Sequence, residues 1–147
     1  MIKVGEKLPD FKLSAQDGKE YSRKDFSGQK LVVYFYPKDN TPGWTNEAVG
    51  FQQQLQALKE LDANVVGVSK DSVKSHQKFA QKYDLEFPLL ADVGGEFCKK
   101  VEVLNFLGFV KRKTLIVSET GEIIKVFSKV DVKKHPAEVV EYIAELN

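Results

Sequence analysis

Residues 31–61 read LVVYFYPKDNTPGWTNEAVGFQQQLQALKEL and predict a strand, a turn and a helix in succession. The apolar run from Leu31 to Tyr36 is typical of a buried strand, and it stops at Pro37. A polar Pro/Gly segment then leads into apolar residues that recur three and four positions apart, as on one face of a helix: Ala48, Phe51, Leu55 and Leu58. A turn of this kind points backbone N–H groups at its tip, so residues 37–44 are the first candidate for a functional site.

The rest of the chain continues the alternation of strands and helices. Further strands are predicted at Phe11–Leu13, Val65–Val68, Thr114–Val117 and Ile123–Phe127, the last two as a hairpin around Glu119-Thr120-Gly121. Two further helices each have an apolar face, formed by Val73, His76, Ala80 and Tyr83 and by Val139, Ile143 and Leu146, with Pro136 in the first turn of the latter. This order predicts an α/β fold whose functional loops lie at the carboxyl ends of parallel strands.

Length and net charge restrict the classes of function that the chain can have. A chain of 147 residues with 42% hydrophobic residues predicts a single domain over residues 1–147. A formal charge of +1 and only short basic clusters argue against binding to nucleic acid or to an anionic membrane. The amino terminus, MIKVGEKLPDF, has no signal-peptide pattern, and no apolar run approaches the ~20 residues of a membrane span. We expect a cytoplasmic protein.

The chain has one cysteine, Cys98, which excludes an intramolecular disulfide, a C-x-x-C motif and a multi-cysteine zinc site. The two histidines, His76 and His135, lie far apart in the sequence, so no metal and no cofactor are expected. Lys99 and Lys100 follow Cys98 and would lower the pKa of its thiol slightly; the alternative is a small, half-buried apolar residue.

The apolar stretch NFLGFV, residues 105–110, precedes the Thr114–Val117 strand. We interpret it as core or pocket wall, rather than as a contact surface.

The segment YFYPKDNTPGWTNEAVGF resembles the active-site segment of the peroxiredoxins, Pro-x-x-x-Thr/Ser-x-x-Cys, and most closely that of the bacterioferritin comigratory protein, or peroxiredoxin Q, subfamily. The resemblance extends over nearly the whole chain, through GEKLPDFKL, VVGVSKDSVKSHQKFAQKYDLEFPLLAD and KRKTLIVSETGEI. It implies a thioredoxin-like peroxiredoxin fold, with a central mixed sheet flanked by helices.

The resemblance also implies roles for individual residues. Trp44 occupies the position of the peroxidatic cysteine, Thr41 would offer its hydroxyl to the peroxide, and Pro37 would shield the site from water. Arg112 matches the arginine that supports the thiolate and polarises the peroxide, and Glu47 matches an acidic position near that arginine. Taken singly, the proline could only punctuate a turn, the threonine could only cap a helix, and the glutamate could only complement the helix dipole. Their joint spacing favours the family roles.

Two thiols of the family pattern are missing here. An indole cannot attack a peroxide as a thiolate does, so the chain as written is expected to be inactive as a peroxidase. Val49 stands where this subfamily places its nearby resolving cysteine, which leaves Cys98 as a possible distant thiol. Trp44 is either an engineered replacement of a functional cysteine or the mark of a natural member that has lost its chemistry.

Two classes of function therefore follow from the resemblance. One is a thioredoxin-dependent thiol peroxidase in a disabled form, with hydrogen peroxide or organic hydroperoxides as substrates and a thioredoxin-like reductant as partner. The other is a non-catalytic binding module on the same fold. Within this subfamily, the expected assembly is a monomer or a weak homodimer.

Overall fold

A computed structural model of the chain describes residues 2–146, with the side chains of Pro42 and Trp44 outside the description. The backbone of Trp44 belongs to a helix. Predictions that concern its indole lie outside the described residues.

The described elements alternate along the chain much as the sequence predicts. The strands are Lys12–Ser14 (β1), Glu20–Ser22 (β2), Lys30–Phe35 (β3), Ala63–Ser69 (β4), Leu89–Ala91 (β5), Lys113–Val117 (β6) and Ile123–Phe127 (β7). The helices are Pro42–Gln53 (α1), Leu55–Glu60 (α2), Val73–Tyr83 (α3), Glu96–Lys100 (α4) and His135–Glu145 (α5), with a 3-10 turn at Arg23–Phe26. Among the described helices, none has both the length and the apolar composition needed to cross a membrane.

A five-stranded mixed sheet forms the centre, in the order β5-β4-β3-β6-β7, and β1 and β2 form a separate antiparallel pair. β3 runs parallel to β4, with Val32 opposite Val65, and antiparallel to β6, with Val33 opposite Leu115. The predicted α/β class, with a central mixed sheet flanked by helices, is confirmed. The predicted hairpin is confirmed as well, since β6 and β7 pair antiparallel around a turn closed by a 3.0 Å hydrogen bond from the N–H of Gly121 to the carbonyl of Ser118.

Both faces of the sheet are covered, because successive residues of β3 point to opposite sides. Leu31, Val33 and Phe35 enter a core with α4 and the amino-terminal segment. Val32 and Tyr34 enter a second core formed by apolar residues of α1, α2, α3 and α5. All six residues of β3 are buried, which explains why this strand reads as a continuous apolar run rather than as an alternating one.

Three differences from the predicted elements have local causes. The single helix predicted after the turn is two helices, α1 and α2, that meet at Gln54. The strands β2 and β5 were not predicted, since each has only three residues and carries little periodicity. Leu146 does not extend the buried face of α5, because the helix ends at Glu145 and Leu146 is 45% exposed.

The interpretation of residues 105–110 as core or pocket wall is wrong. Phe106 is 95% exposed and Leu107 and Phe109 are about two-thirds exposed, whereas Val110 is buried. Asn105 closes a tight loop, because its side-chain oxygen accepts hydrogen bonds from the N–H groups of Leu107 and Phe109 at 2.9 and 3.0 Å. The loop therefore turns its large apolar side chains outward.

Candidate active site

The turn between β3 and α1 lies at the end of the sheet where β3, β4 and β5 finish and the antiparallel β6 begins. β3 continues into the turn through a 3.1 Å hydrogen bond from the N–H of Tyr36 to the carbonyl of Val68. Asn40 has a φ of 65°, in the left-handed region that asparagine tolerates better than most residues. The chain thus reverses direction just before α1 begins.

Thr41 occupies the N-cap position of α1, and its carbonyl accepts the first helical hydrogen bond from the N–H of Thr45 at 2.9 Å. Its hydroxyl makes no capping bond and instead donates to the carbonyl of Lys38 at 3.1 Å. Pro37 is half-buried at the start of the same turn. The hydroxyl of Thr41 therefore lies on the turn itself, where a rotation about χ1 could direct it to a ligand.

Arg112 approaches this turn from the segment that precedes β6. Its Nη2 lies 3.5 Å from the position that a Cβ would take at Gly43, the residue before Trp44. The side chain is otherwise exposed. The fold therefore brings the cation predicted by resemblance to the first turn of α1, although the two segments are almost 70 residues apart.

Glu47 lies one helical turn after Trp44 and is 1% exposed. Burial raises the pKa of its carboxyl to about 8, and the positive charge of Arg112 partly opposes this rise. Among the described side chains, no hydrogen-bond partner reaches its Oε2. At neutral pH the carboxyl is therefore mostly protonated.

The expectation that Lys99 and Lys100 lower the pKa of Cys98 is wrong. The thiol is fully buried, and desolvation raises its pKa well above the ordinary value, with a further rise from the carboxylate of Asp92. Cys98 also packs in the core with α4, on the other face of the sheet from α1. In this structure Cys98 therefore has the surroundings of a buried apolar residue, and its role as a distant thiol stays a prediction.

Val49 is half-buried on α1, at the position where the resemblance places a resolving cysteine. The sequence has no cysteine at this position.

Sequence reasoning missed a polar cluster behind the turn. The carboxylate of Asp39 meets Nδ1 of His76 at 2.6 Å, and Asp71 lies beside them. One ligand atom from each of these residues lies within 4.8 Å of the others, a spacing that a cation could use. These atoms already bond to one another and to neighbouring groups, so the cluster is first of all a hydrogen-bond network. A signal was present in the sequence, since Asp39 is a charged residue between Pro37 and Thr41, but its partner on α3 could not be identified.

The fold and the turn are those of a known class of proteins. Residues 4–126 match the family model described as the AhpC/TSA family, and the chain belongs to this family, that of the peroxiredoxins. Among curated relatives, peroxiredoxin Bcp of Bacillus subtilis (strain 168) is 36% identical over 154 aligned residues, covering 99% of this chain and 98% of the relative.

Solved structures agree with this assignment. A mutant of the Xylella fastidiosa peroxiredoxin PrxQ superposes with a TM-score of 0.94 at 32% identity, over 99% of this chain and 98% of the other. The Xanthomonas campestris bacterioferritin comigratory protein, whose structures address its alkyl peroxide reduction activity, superposes with a TM-score of 0.91 at 32% identity, over 98% and 99% of the two chains. The relatives of this chain are thus peroxiredoxins of the Bcp and PrxQ type.

Proposed function

We propose that this chain has the framework of a thioredoxin-dependent thiol peroxidase, and that Trp44 in the place of the nucleophilic cysteine makes it inactive as written. The observation that carries the proposal is the approach of Arg112 to the first turn of α1, one residue before Trp44. Membership of the peroxiredoxin family supports it, as does the alkyl peroxide reduction named for the Xanthomonas campestris neighbour.

The proposed roles follow from charge and position. A thiolate at residue 44 would be stabilised by the guanidinium of Arg112 and by the N–H groups at the start of α1. The hydroxyl of Thr41 would bind the peroxide, and Pro37 would exclude water from the same side. Glu47 would orient Arg112 without neutralising it, because burial keeps the carboxyl mostly protonated at neutral pH.

The reaction needs a sulfur atom at residue 44. The thiolate attacks one peroxide oxygen, an S–O bond forms as the O–O bond breaks, and the departing oxygen leaves as an alkoxide or hydroxide that takes up a proton. The sulfur is oxidised to a sulfenic acid and the peroxide is reduced to an alcohol or to water. A thioredoxin-like dithiol would then reduce the sulfenic acid, because Val49 offers no thiol and Cys98 is buried.

The test is to place cysteine back at residue 44. Trp44→Cys is expected to consume hydrogen peroxide or an organic hydroperoxide in the presence of thioredoxin, thioredoxin reductase and NADPH, and the parent chain is expected not to. Trp44→Ser is the matched control, since a serine hydroxyl has nearly the size of a thiol without its nucleophilicity. A folded Trp44→Cys chain that leaves both peroxides unconsumed would count against the proposal and would favour a binding module.

A further inference from the structure

The turn that precedes α1 is tied to the rest of the fold by a buried polar network around Asp39. This side chain is 6% exposed, and it accepts three hydrogen bonds. Its Oδ1 accepts from the hydroxyl of Tyr36 at 2.6 Å, and its Oδ2 accepts from the hydroxyl of Ser75 at 2.9 Å and from Nδ1 of His76 at 2.6 Å. The backbone N–H of Asp39 donates to Oδ2 of Asp71 at 2.8 Å. One residue of the turn therefore bonds to the residue that follows β3, to α3 and to the segment between β4 and α3.

Both ring nitrogens of His76 face acceptors. Nδ1 meets the carboxylate of Asp39, and Nε2 meets the carbonyl oxygen of Leu90 in β5 at 3.1 Å. A carbonyl has no proton to give, so Nε2 has to donate to Leu90. With Nδ1 facing the carboxyl group of Asp39 at 2.6 Å, the geometry is that of an ion pair without net charge inside the fold.

The turn is not closely packed along the whole side of α3. A cleft of about 410 Å³ opens between Asn40 and the side of α3 that carries Lys74 and Lys78. The hydrogen bond from Thr41 to Lys38 lies within the turn and ties it to nothing else. Asp39 thus bridges this gap through a buried side chain that bonds to Ser75 and His76 of α3.

We propose that the Asp39–His76 ion pair is the positioning device of the peroxide site: it holds residues 37–41 against α3 and so sets the place of Thr41 and of the first turn of α1. The claim that the pair affects catalysis rests on the proposed function, whereas the claim that it holds the turn does not. Neither residue touches the peroxide; both act through the turn.

The protonation of His76 gives a spectroscopic test on the chain as it exists. A long-range ¹H–¹⁵N spectrum at neutral pH is expected to show both ring nitrogens of His76 in the protonated state. His135 serves as the internal comparison, because burial lowers its pKa even though the carboxylate of Glu138, 3.6 Å from its Nδ1, opposes this shift. An unprotonated nitrogen on His76 would overturn the ion pair.

The positioning role is tested by amide hydrogen exchange in Asp39→Asn. This substitution keeps the size of the side chain and removes its charge. Amides at residues 43–47 are expected to exchange roughly ten- to hundredfold faster, the equivalent of losing one charge-assisted hydrogen bond, while amides of α5 stay near their parent rates. Asp62→Asn is the matched control, since Asp62 is exposed and lies just before β4, at the opposite end of the strands from the turn. Equal exchange rates at residues 43–47 in the parent and in Asp39→Asn would refute the proposal.

Two further variants separate a local effect from general loss of stability. Ser75→Ala removes one donor to Asp39 and is expected to speed exchange at residues 43–47 to a smaller extent, which keeps the test decisive if Asp39→Asn does not fold. Ile123→Val removes a buried methyl group from the core on the other face of the sheet. It is expected to raise exchange across the fold without singling out the turn, and a similar profile in Ser75→Ala would contradict the positioning role.

The catalytic part is tested in the Trp44→Cys background. Adding Asp39→Asn is expected to lower kcat/KM for a hydroperoxide roughly 10- to 100-fold, the scale of a misplaced reacting group, whereas adding Asp62→Asn leaves it unchanged. If Trp44→Cys alone is inert, the proposed function fails, while the exchange data still decide whether Asp39 holds the turn. If Trp44→Cys is active and Asp39→Asn does not change kcat/KM, the inference fails and the proposed function stands.

Discussion

The substitution Glu47→Gln tests whether burial keeps this carboxyl protonated in the folded chain. The pKa of Glu47 rises from 4.5 to about 8 because the side chain is desolvated in the core beneath the first turns of α1. Glutamine has nearly the same shape and does not titrate. The parent and the variant should therefore differ in how their stability depends on pH.

The sign follows from the protons that each state binds. Below the unfolded pKa of 4.5, the folded and unfolded states both carry the proton, so pH has no effect through this group. Between 4.5 and about 8, the unfolded state has released the proton and the folded state has kept it, so the free energy of unfolding falls as pH rises. Above the folded pKa the loss is complete. At 1.36 kcal/mol per pKa unit, the interval between the two values corresponds to about 4–5 kcal/mol.

This loss is large against the 5–15 kcal/mol by which whole domains are typically stable. Urea unfolding followed by far-UV circular dichroism at about pH 5 and about pH 9 measures it. Glu47→Gln is expected to match the parent at the lower pH and to exceed it by several kcal/mol at the higher pH. Glu86→Gln, at an exposed position, is the control and should follow the parent at both. A difference between Glu47→Gln and the parent that does not change with pH would refute the reasoning.

Two further predictions concern the packing of the fold. In a thermal unfolding assay, Gly50→Ala should be destabilising by about 1 kcal/mol net, because its Cβ would lie 2.7 Å from Cγ of Pro136 and the cost of overpacking exceeds the gain in helix propensity. Gly43→Ala should be neutral or slightly stabilising in the same assay, because its Cβ would meet nothing closer than 3.5 Å. Cys98 should resist an aromatic disulfide reagent in the folded chain and react fully in denaturant, because its thiol is buried with a raised pKa beside Asp92; rapid labelling without denaturant would contradict its enclosure.

Local pattern was sufficient to predict the main architecture. The apolar run of β3 predicts a strand that is buried on both faces. The Glu119-Thr120-Gly121 turn predicts the β6–β7 hairpin, and Pro136 predicts the first turn of α5. Each of these features depends on residues close together in the sequence, where periodicity and turn chemistry act directly.

The candidate site was predictable only in part. The turn at residues 37–44 and the identities of Thr41, Glu47 and Arg112 followed from the sequence through its resemblance to the peroxiredoxins. Their roles remain predictions. The burial that keeps Glu47 mostly protonated had no sequence signal, because the pKa of a carboxyl depends on the solvent and charges around it in three dimensions.

The amino-acid sequence by itself determined the order of strands and helices and the residues present at the turn, because these depend on local periodicity and on turn-forming residues. Only the tertiary structure decided that Asp39 meets His76, that Cys98 is enclosed on the far face of the sheet and that Phe106 faces solvent. Those outcomes depend on contacts between distant segments and on exclusion of water, neither of which has a period along the chain.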